Sequence, residues 1–111
     1  MNINFPSNAL LTVSALLKSM SNPRRLLVLC ELLGGERSVG ELEQVTGLSQ
    51  SALSQHLAKL RGQGLVSARR QSQNIFYSLA DTDVDQIIGL LHRLFCNQAA
   101  KGMRQRKRGR P

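Results

Sequence analysis

Residues 38–65, SVGELEQVTGLSQSALSQHLAKLRGQGL, hold two short amphipathic runs separated by a Thr-Gly break. Ser38 followed three residues later by Glu41 has the form of a capping box, in which each side chain meets a backbone N–H that the helix itself cannot satisfy. Val39, Leu42 and Val45 then recur at helical spacing until Thr46-Gly47, and Gly47 suits a turn position that needs positive φ. A second helix begins after Ser49, whose hydroxyl can cap it. Its buried side is Ala52, Leu53, Leu57 and Leu60, and Gly62 and Gly64 end it. The opposite side carries Gln50, Ser51, Ser54, Gln55 and Lys59. Two helices joined by a tight turn, the second fringed with small polar side chains, form the outline of a DNA-reading helix-turn-helix.

Those exposed residue types have the right chemistry. Gln can pair bidentately with adenine, Ser can donate to or accept from base edges and phosphates, and Lys supplies charge against the backbone. A merely solvated helix face has the same composition, so the choice rests on the segment beyond the second helix. After Gly64 come Leu65-Val66-Ser67-Ala68-Arg69-Arg70, a polar tip Gln71-Ser72-Gln73-Asn74, and Ile75-Phe76-Tyr77-Ser78-Leu79. Two β-prone runs flanking a polar loop predict a hairpin. Placed directly after a recognition helix, such a hairpin is a wing whose basic residues lie near phosphates or a minor groove. The expected base-reading residues are Gln50, Ser51, Ser54 and Gln55. His56 is adjacent to the buried Leu57 and is assigned to base reading, packing or a phosphate. Ser49, Lys59, Arg69 and Arg70 are expected at phosphates.

Length and charge bound the rest. At 111 residues with a net charge of +8, the chain is read as one domain over residues 1–100 and a basic tail over 101–111. The tail, KGMRQRKRGRP, holds six Lys or Arg and no acid, leaving nine basic against seven acidic residues elsewhere. It is too polar to bury itself and is read as unstructured, either adding nonspecific attraction to DNA or acidic protein surface or serving only solubility. No apolar run is long enough to span a bilayer and no charged-then-apolar leader precedes the domain, so the expected location is the cytoplasm, with no membrane partner.

Residues 8–20 place Leu10, Leu11, Val13, Leu16, Leu17 and Met20 on a broad apolar face. Asn22-Pro23 caps and starts the next helix, which ends at Gly34-Gly35. Asp81-Thr82-Asp83 opens a last helix with a stripe of Val84, Ile87, Ile88, Leu91, Leu94 and Phe95. The architecture read from this order is mainly α with a small β-hairpin, a winged helix-turn-helix. The first and last helices carry more apolar surface than so small a fold can cover, so they are expected to form the seam of a homodimer. A twofold dimer would present two recognition helices about 34 Å apart and select an inverted-repeat operator on double-stranded DNA.

Two cysteines remain. Cys30 lies in the second helix and Cys96 near the end of the last. A structural disulfide is improbable in a cytosolic protein, which leaves buried thiols, metal ligands or a redox pair. His92 and Arg93 lie one turn before Cys96 and could assist a thiolate, while the carboxyl end of a helix opposes negative charge. A thiol enzyme using Cys96 and His92 has no third orienting group, no Gly-rich phosphate loop and little room for a substrate pocket.

The ordered set Ser21-Asn22-Pro23-Arg24-Arg25-Leu26, Ser38-Val39-Gly40-Glu41-Leu42, Leu48-Ser49-Gln50-Ser51-Ala52-Leu53-Ser54-Gln55-His56-Leu57, Gly64-Leu65-Val66 and Phe76-Tyr77 resembles the ArsR/SmtB family of winged-helix repressors, over roughly residues 10–97. The resemblance implies a homodimer that represses by occupying an operator and lets go when an inducer binds. The chain departs from the family's metal-sensing pattern. Glu41-Leu42-Glu43-Gln44-Val45 stands where those members often have Cys-x-Cys, and the last helix offers only Asp81, Asp83, Asp85 and His92. No metal site and no cofactor are expected. The cysteine positions are instead similar to those of the family's sulfide- and redox-responsive branch. That likeness implies that persulfides, polysulfides or oxidants join Cys30 to Cys96 and change the spacing of the recognition helices. A metal-responsive or cysteine-independent repressor is the alternative.

Overall fold

A computed structural model describes residues 6–101, with side chains described for residues 6–96. The order is α1 (Ser7–Met20), α2 (Pro23–Glu31), a 3-10 turn (Leu32–Gly34), β1 (Arg37–Ser38), α3 (Val39–Thr46), α4 (Gln50–Gly62), β2 (Val66–Gln71), β3 (Asn74–Leu79) and α5 (Thr82–Lys101). Five helices thus surround a three-stranded antiparallel sheet of order β1-β3-β2. The expected tail lies outside the described residues except for Lys101, the last residue of α5.

Local chemistry sets nearly every boundary. The Asn22 side chain accepts hydrogen bonds from the backbone N–H groups of Arg24 and Arg25 at 2.9 and 3.1 Å, and Pro23 follows at the first helical position. The capping box is closed in both directions. Ser38 Oγ accepts from Glu41 N at 3.1 Å, and the Glu41 carboxylate accepts from Ser38 N at 2.8 Å. Gly47, at φ 72°, ends α3. Gly64, at φ 74°, ends α4 in a Schellman arrangement: Leu65 N donates to Leu60 O at 2.9 Å and Gly64 N to Arg61 O at 3.0 Å. Asp81 accepts from Val84 N at 3.0 Å and opens α5.

The hairpin is tighter than the four-residue tip expected for it. Gln71 pairs with Asn74, so Ser72 and Gln73 alone make the turn. Ser72 takes φ 58°, the left-handed conformation that a two-residue hairpin needs at its first position to match strand twist. β1 was not foreseen. Arg37 and Ser38 pair with Tyr77 and Phe76, which places the start of the helix-turn-helix on the inner strand of the wing.

The core gathers one side of each element: Val28, Leu29 and Leu32, Leu42, Leu53, Leu57 and Leu60, then Leu65 and Val66, then Val84 and Ile88. Arg25 ties α2 to α1, its Nε donating to Ser19 O at 2.6 Å. Of the three apolar residues at helical spacing in α3, Leu42 is buried and Val45 is exposed. α1 and α5 contribute only part of their stripes. Met20, Val84 and Ile88 are buried, whereas Leu10, Leu11 and Leu17 and also Leu91, Leu94 and Phe95 are exposed. No described helix is long and apolar enough to cross a membrane.

Candidate nucleic-acid interface and thiol pair

The recognition helix is set by its buried edge. Leu53, Leu57 and Leu60 anchor α4 in the core, and the 3.6-residue period then turns Gln50, Ser51, Ser54, Gln55 and Lys59 outward. All five are exposed on one face. Ser49 serves as the N-cap, its Oγ accepting from Ala52 N at 3.1 Å. That bond leaves a hydroxyl hydrogen available to a phosphate at the helix N-terminus.

His56 stands apart from this face. It is half-buried, and burial pushes its pKa below the ordinary histidine value, with Arg25, Arg24 and Lys59 adding repulsion. The imidazole is therefore held neutral near pH 7. Its neighbours place it on the side of α4 that meets α2, next to packing residues and away from the line of Gln and Ser.

Strand alternation separates the two wing arginines. Val66, Ala68 and Arg70 share one face of β2, and Ser67, Arg69 and Gln71 the other. Arg70 lines a depression with Arg61, Ala68 and Ile75, on the side of the hairpin that faces α4. Arg69 lies on the far side. Its guanidinium is bonded to Glu36 and Gln71, and it sits over the Phe76 ring. Three of its five N–H groups are thus bonded within the chain.

Between α4 and the wing runs an open groove of about 760 Å³, lined among others by Gln50, Ser54, Arg61, Gln73, Asn74 and Tyr77. Arg61 was not foreseen as a site residue, although its place seven residues after Ser54 puts it on the same helix face. Among the described residues the ion pairs are Arg37–Glu31 and Arg69–Glu36, so Arg61 in the groove and Arg70 in the adjoining depression have no carboxylate partner, whereas Lys59 lines a separate depression with Lys18 and Arg25. Glu43 also lines the groove, so the surface between the polar helix and the hairpin is a concave, mainly polar one whose unpaired arginines suit a polyanion.

The thiols lie behind this surface. Cys30 is half-buried on α2, against the core, and Cys96 is exposed on α5, the helix that packs on α2. Both are free. Burial pushes the Cys30 thiol above its ordinary pKa, and the nearby Cys96 and Glu31 push it further in the same direction. Among the described residues no group of three His, Cys, Asp or Glu side chains is placed to hold a metal.

Comparison with known proteins agrees with this geometry. Residues 22–68 match the model of the bacterial regulatory protein family arsR. The transcriptional activator HlyU of Vibrio cholerae is 59% identical over 81 residues, 73% of this chain and 75% of that protein. The biofilm growth-associated repressor of Xylella fastidiosa is 46% identical over 78% of this chain and 75% of its own length. Among solved structures, reduced HlyU from Vibrio cholerae superposes with a TM-score of 0.78 at 53% identity, covering 81% of this chain and 95% of that one.

Proposed function

The chain belongs to the ArsR family of DNA-binding transcriptional regulators, and on that premise we propose that it is a repressor released from DNA when reactive sulfur or another oxidant links Cys30 to Cys96. It works as a homodimer in the bacterial cytoplasm. The exposed apolar stripes of α1 and α5 cover one another across a twofold axis, which sets two α4 helices about 34 Å apart over successive major grooves of an inverted repeat. Gln50, Ser51, Ser54 and Gln55 read base edges. Ser49, Lys59 and Arg70 hold phosphates, and Arg61 joins them from the groove.

The observation that carries the switch is the placement of a half-buried thiol and an exposed one on two packed helices of one chain. Sulfane sulfur of a polysulfide accepts two electrons from the pair and leaves as sulfide. The thiols lose their protons and form a disulfide, or a longer bridge when further sulfur atoms are retained. α2 also packs against α3 and α4, so a bond that draws α2 toward α5 shifts the reading helices against the seam. Affinity falls with no base contact altered.

The test pairs intact mass with DNA binding on the same samples, using a duplex selected from a random pool by the untreated protein. Polysulfide is expected to remove two hydrogens or add sulfur between Cys30 and Cys96 and to release DNA, while the Cys96→Ser variant stays bound. Release that persists in Cys96→Ser, or thiols that stay unmodified while DNA dissociates, would move the inducer elsewhere and favour a cysteine-independent or metal-responsive repressor.

A further inference from the structure

Each nitrogen of the Arg69 guanidinium has a partner within the protein. Nε donates to Glu36 Oε2 at 2.9 Å, Nη2 to Glu36 Oε1 at 2.7 Å and Nη1 to Gln71 Oε1 at 2.8 Å. The guanidinium carbon lies 4.8 Å from the centre of the Phe76 ring. Parallel bonds to one carboxylate, together with aromatic support, hold a long side chain in one geometry. That is the circumstance in which an exposed ion pair has a measurable effect. The bond from Arg69 also keeps the Glu36 carboxyl below its ordinary pKa, so the pair stays charged at neutral pH.

The two ends of this clamp belong to different parts of the fold. Glu36 immediately precedes β1, whereas Arg69 is in β2, the opposite edge of a sheet of order β1-β3-β2. The pair therefore reaches over β3, and Phe76 of that middle strand lies beneath it. A second link fastens the near end: Arg37 Nε donates to Glu31 O at 3.0 Å, and its Nη2 is 3.5 Å from the Glu31 carboxylate. Polar links thus run from the end of α2, one residue past Cys30, to the outer strand of the wing.

We propose that Arg69 is a positioning residue, gripped by Glu36 so as to fix the angle of the wing against the recognition helix, and that it is not a phosphate contact. The proposal rests on the reading of α4 and the wing as the DNA interface. In that role Arg69 acts through Arg70 and the hairpin tip, which it holds toward the groove side.

A phosphate contact and a clamp predict opposite behaviour for Glu36. On a duplex selected by the wild-type protein, Arg69→Ala and Glu36→Gln are each expected to weaken binding about three- to fivefold. The double variant should be no weaker than either single one, with the salt dependence unchanged. Without DNA, amide exchange in the paired residues of β2 and β3 should quicken in both single variants. Both residues are exposed, so the variants should fold, and their thermal midpoints check it. The proposal is overturned if Arg69→Ala lowers the salt slope by about one while Glu36→Gln leaves or strengthens binding, which is the signature of a freed phosphate ligand. It is overturned too if neither single variant changes affinity or exchange. Gln55→Ala and Arg70→Ala on the same duplex act as controls. Should these also bind like wild type, the interface reading itself has failed and the clamp falls with it.

Discussion

The helix-turn-helix and the outer helices handle their apolar surface in opposite ways. In α3 and α4, Leu42, Leu53, Leu57 and Leu60 are buried within one chain, and caps close the helix ends. In α1 and α5, Leu11 is 74% exposed and Phe95 59% exposed, alongside Leu10, Leu17, Leu91 and Leu94. The reading half is finished by its own sequence, whereas the other half leaves an apolar surface uncovered in the single chain, the surface assigned to the proposed homodimer. A monomer would therefore retain a formed recognition helix yet lack its second half-site.

The largest effect should come from breaking that second half. Leu94→Asp with Phe95→Asp is expected to make the protein monomeric in sedimentation and to lower affinity for an inverted-repeat duplex by on the order of a hundredfold or more. Amide protection in α3 and α4 should survive. A variant that stays dimeric would erase the contrast between the halves. A loss of stability in place of assembly is expected from Leu53→Ala, which empties a closed site in the reading half. Urea denaturation should show about 2–5 kcal/mol less stability, with helicity and DNA binding lost together. A cost below about 1 kcal/mol would mean that the reading half is not closed around this residue.

The smallest effect concerns pH. His56 has a folded pKa below that of the unfolded chain, so the unfolded state takes up its proton first. Stability should be fully present above about pH 6.5, decline as pH falls below it, and level off once the folded imidazole is also charged. His56→Gln should flatten this decline in denaturation curves taken between about pH 8 and 5. An unchanged decline would assign it to other groups.

Features set by neighbours in sequence were legible in advance. The Ser38–Glu41 box, the caps at Ser49 and Asn22, and the positive φ of Gly47 all depend on residues within three positions, and the outward face of α4 follows from its leucines. What escaped depends on distant pairing. β1 is two residues long and exists only because Tyr77 and Phe76 lie beside it. Sequence alone assigns Arg69 to phosphate because its partner Glu36 is 33 positions away, although strand alternation separates it from Arg70. The helices that carry the two cysteines were legible, whereas the pairing of the cysteines is what the family resemblance implies. Their unequal exposure depends on how α2 packs and could not be read from spacing.

That inequality has a consequence in time. For the proposed switch, the exposed Cys96 meets a reagent first, and the half-buried Cys30, its thiol pushed up, is slow to supply the attacking thiolate. The interval between the two events acts as a delay line. A brief pulse leaves a single adduct on Cys96 that ambient thiols can strip away, and only a sustained supply lasts until the bridge closes. In that proposed switch, the burial of one sulfur atom would set how long a signal must persist before transcription responds.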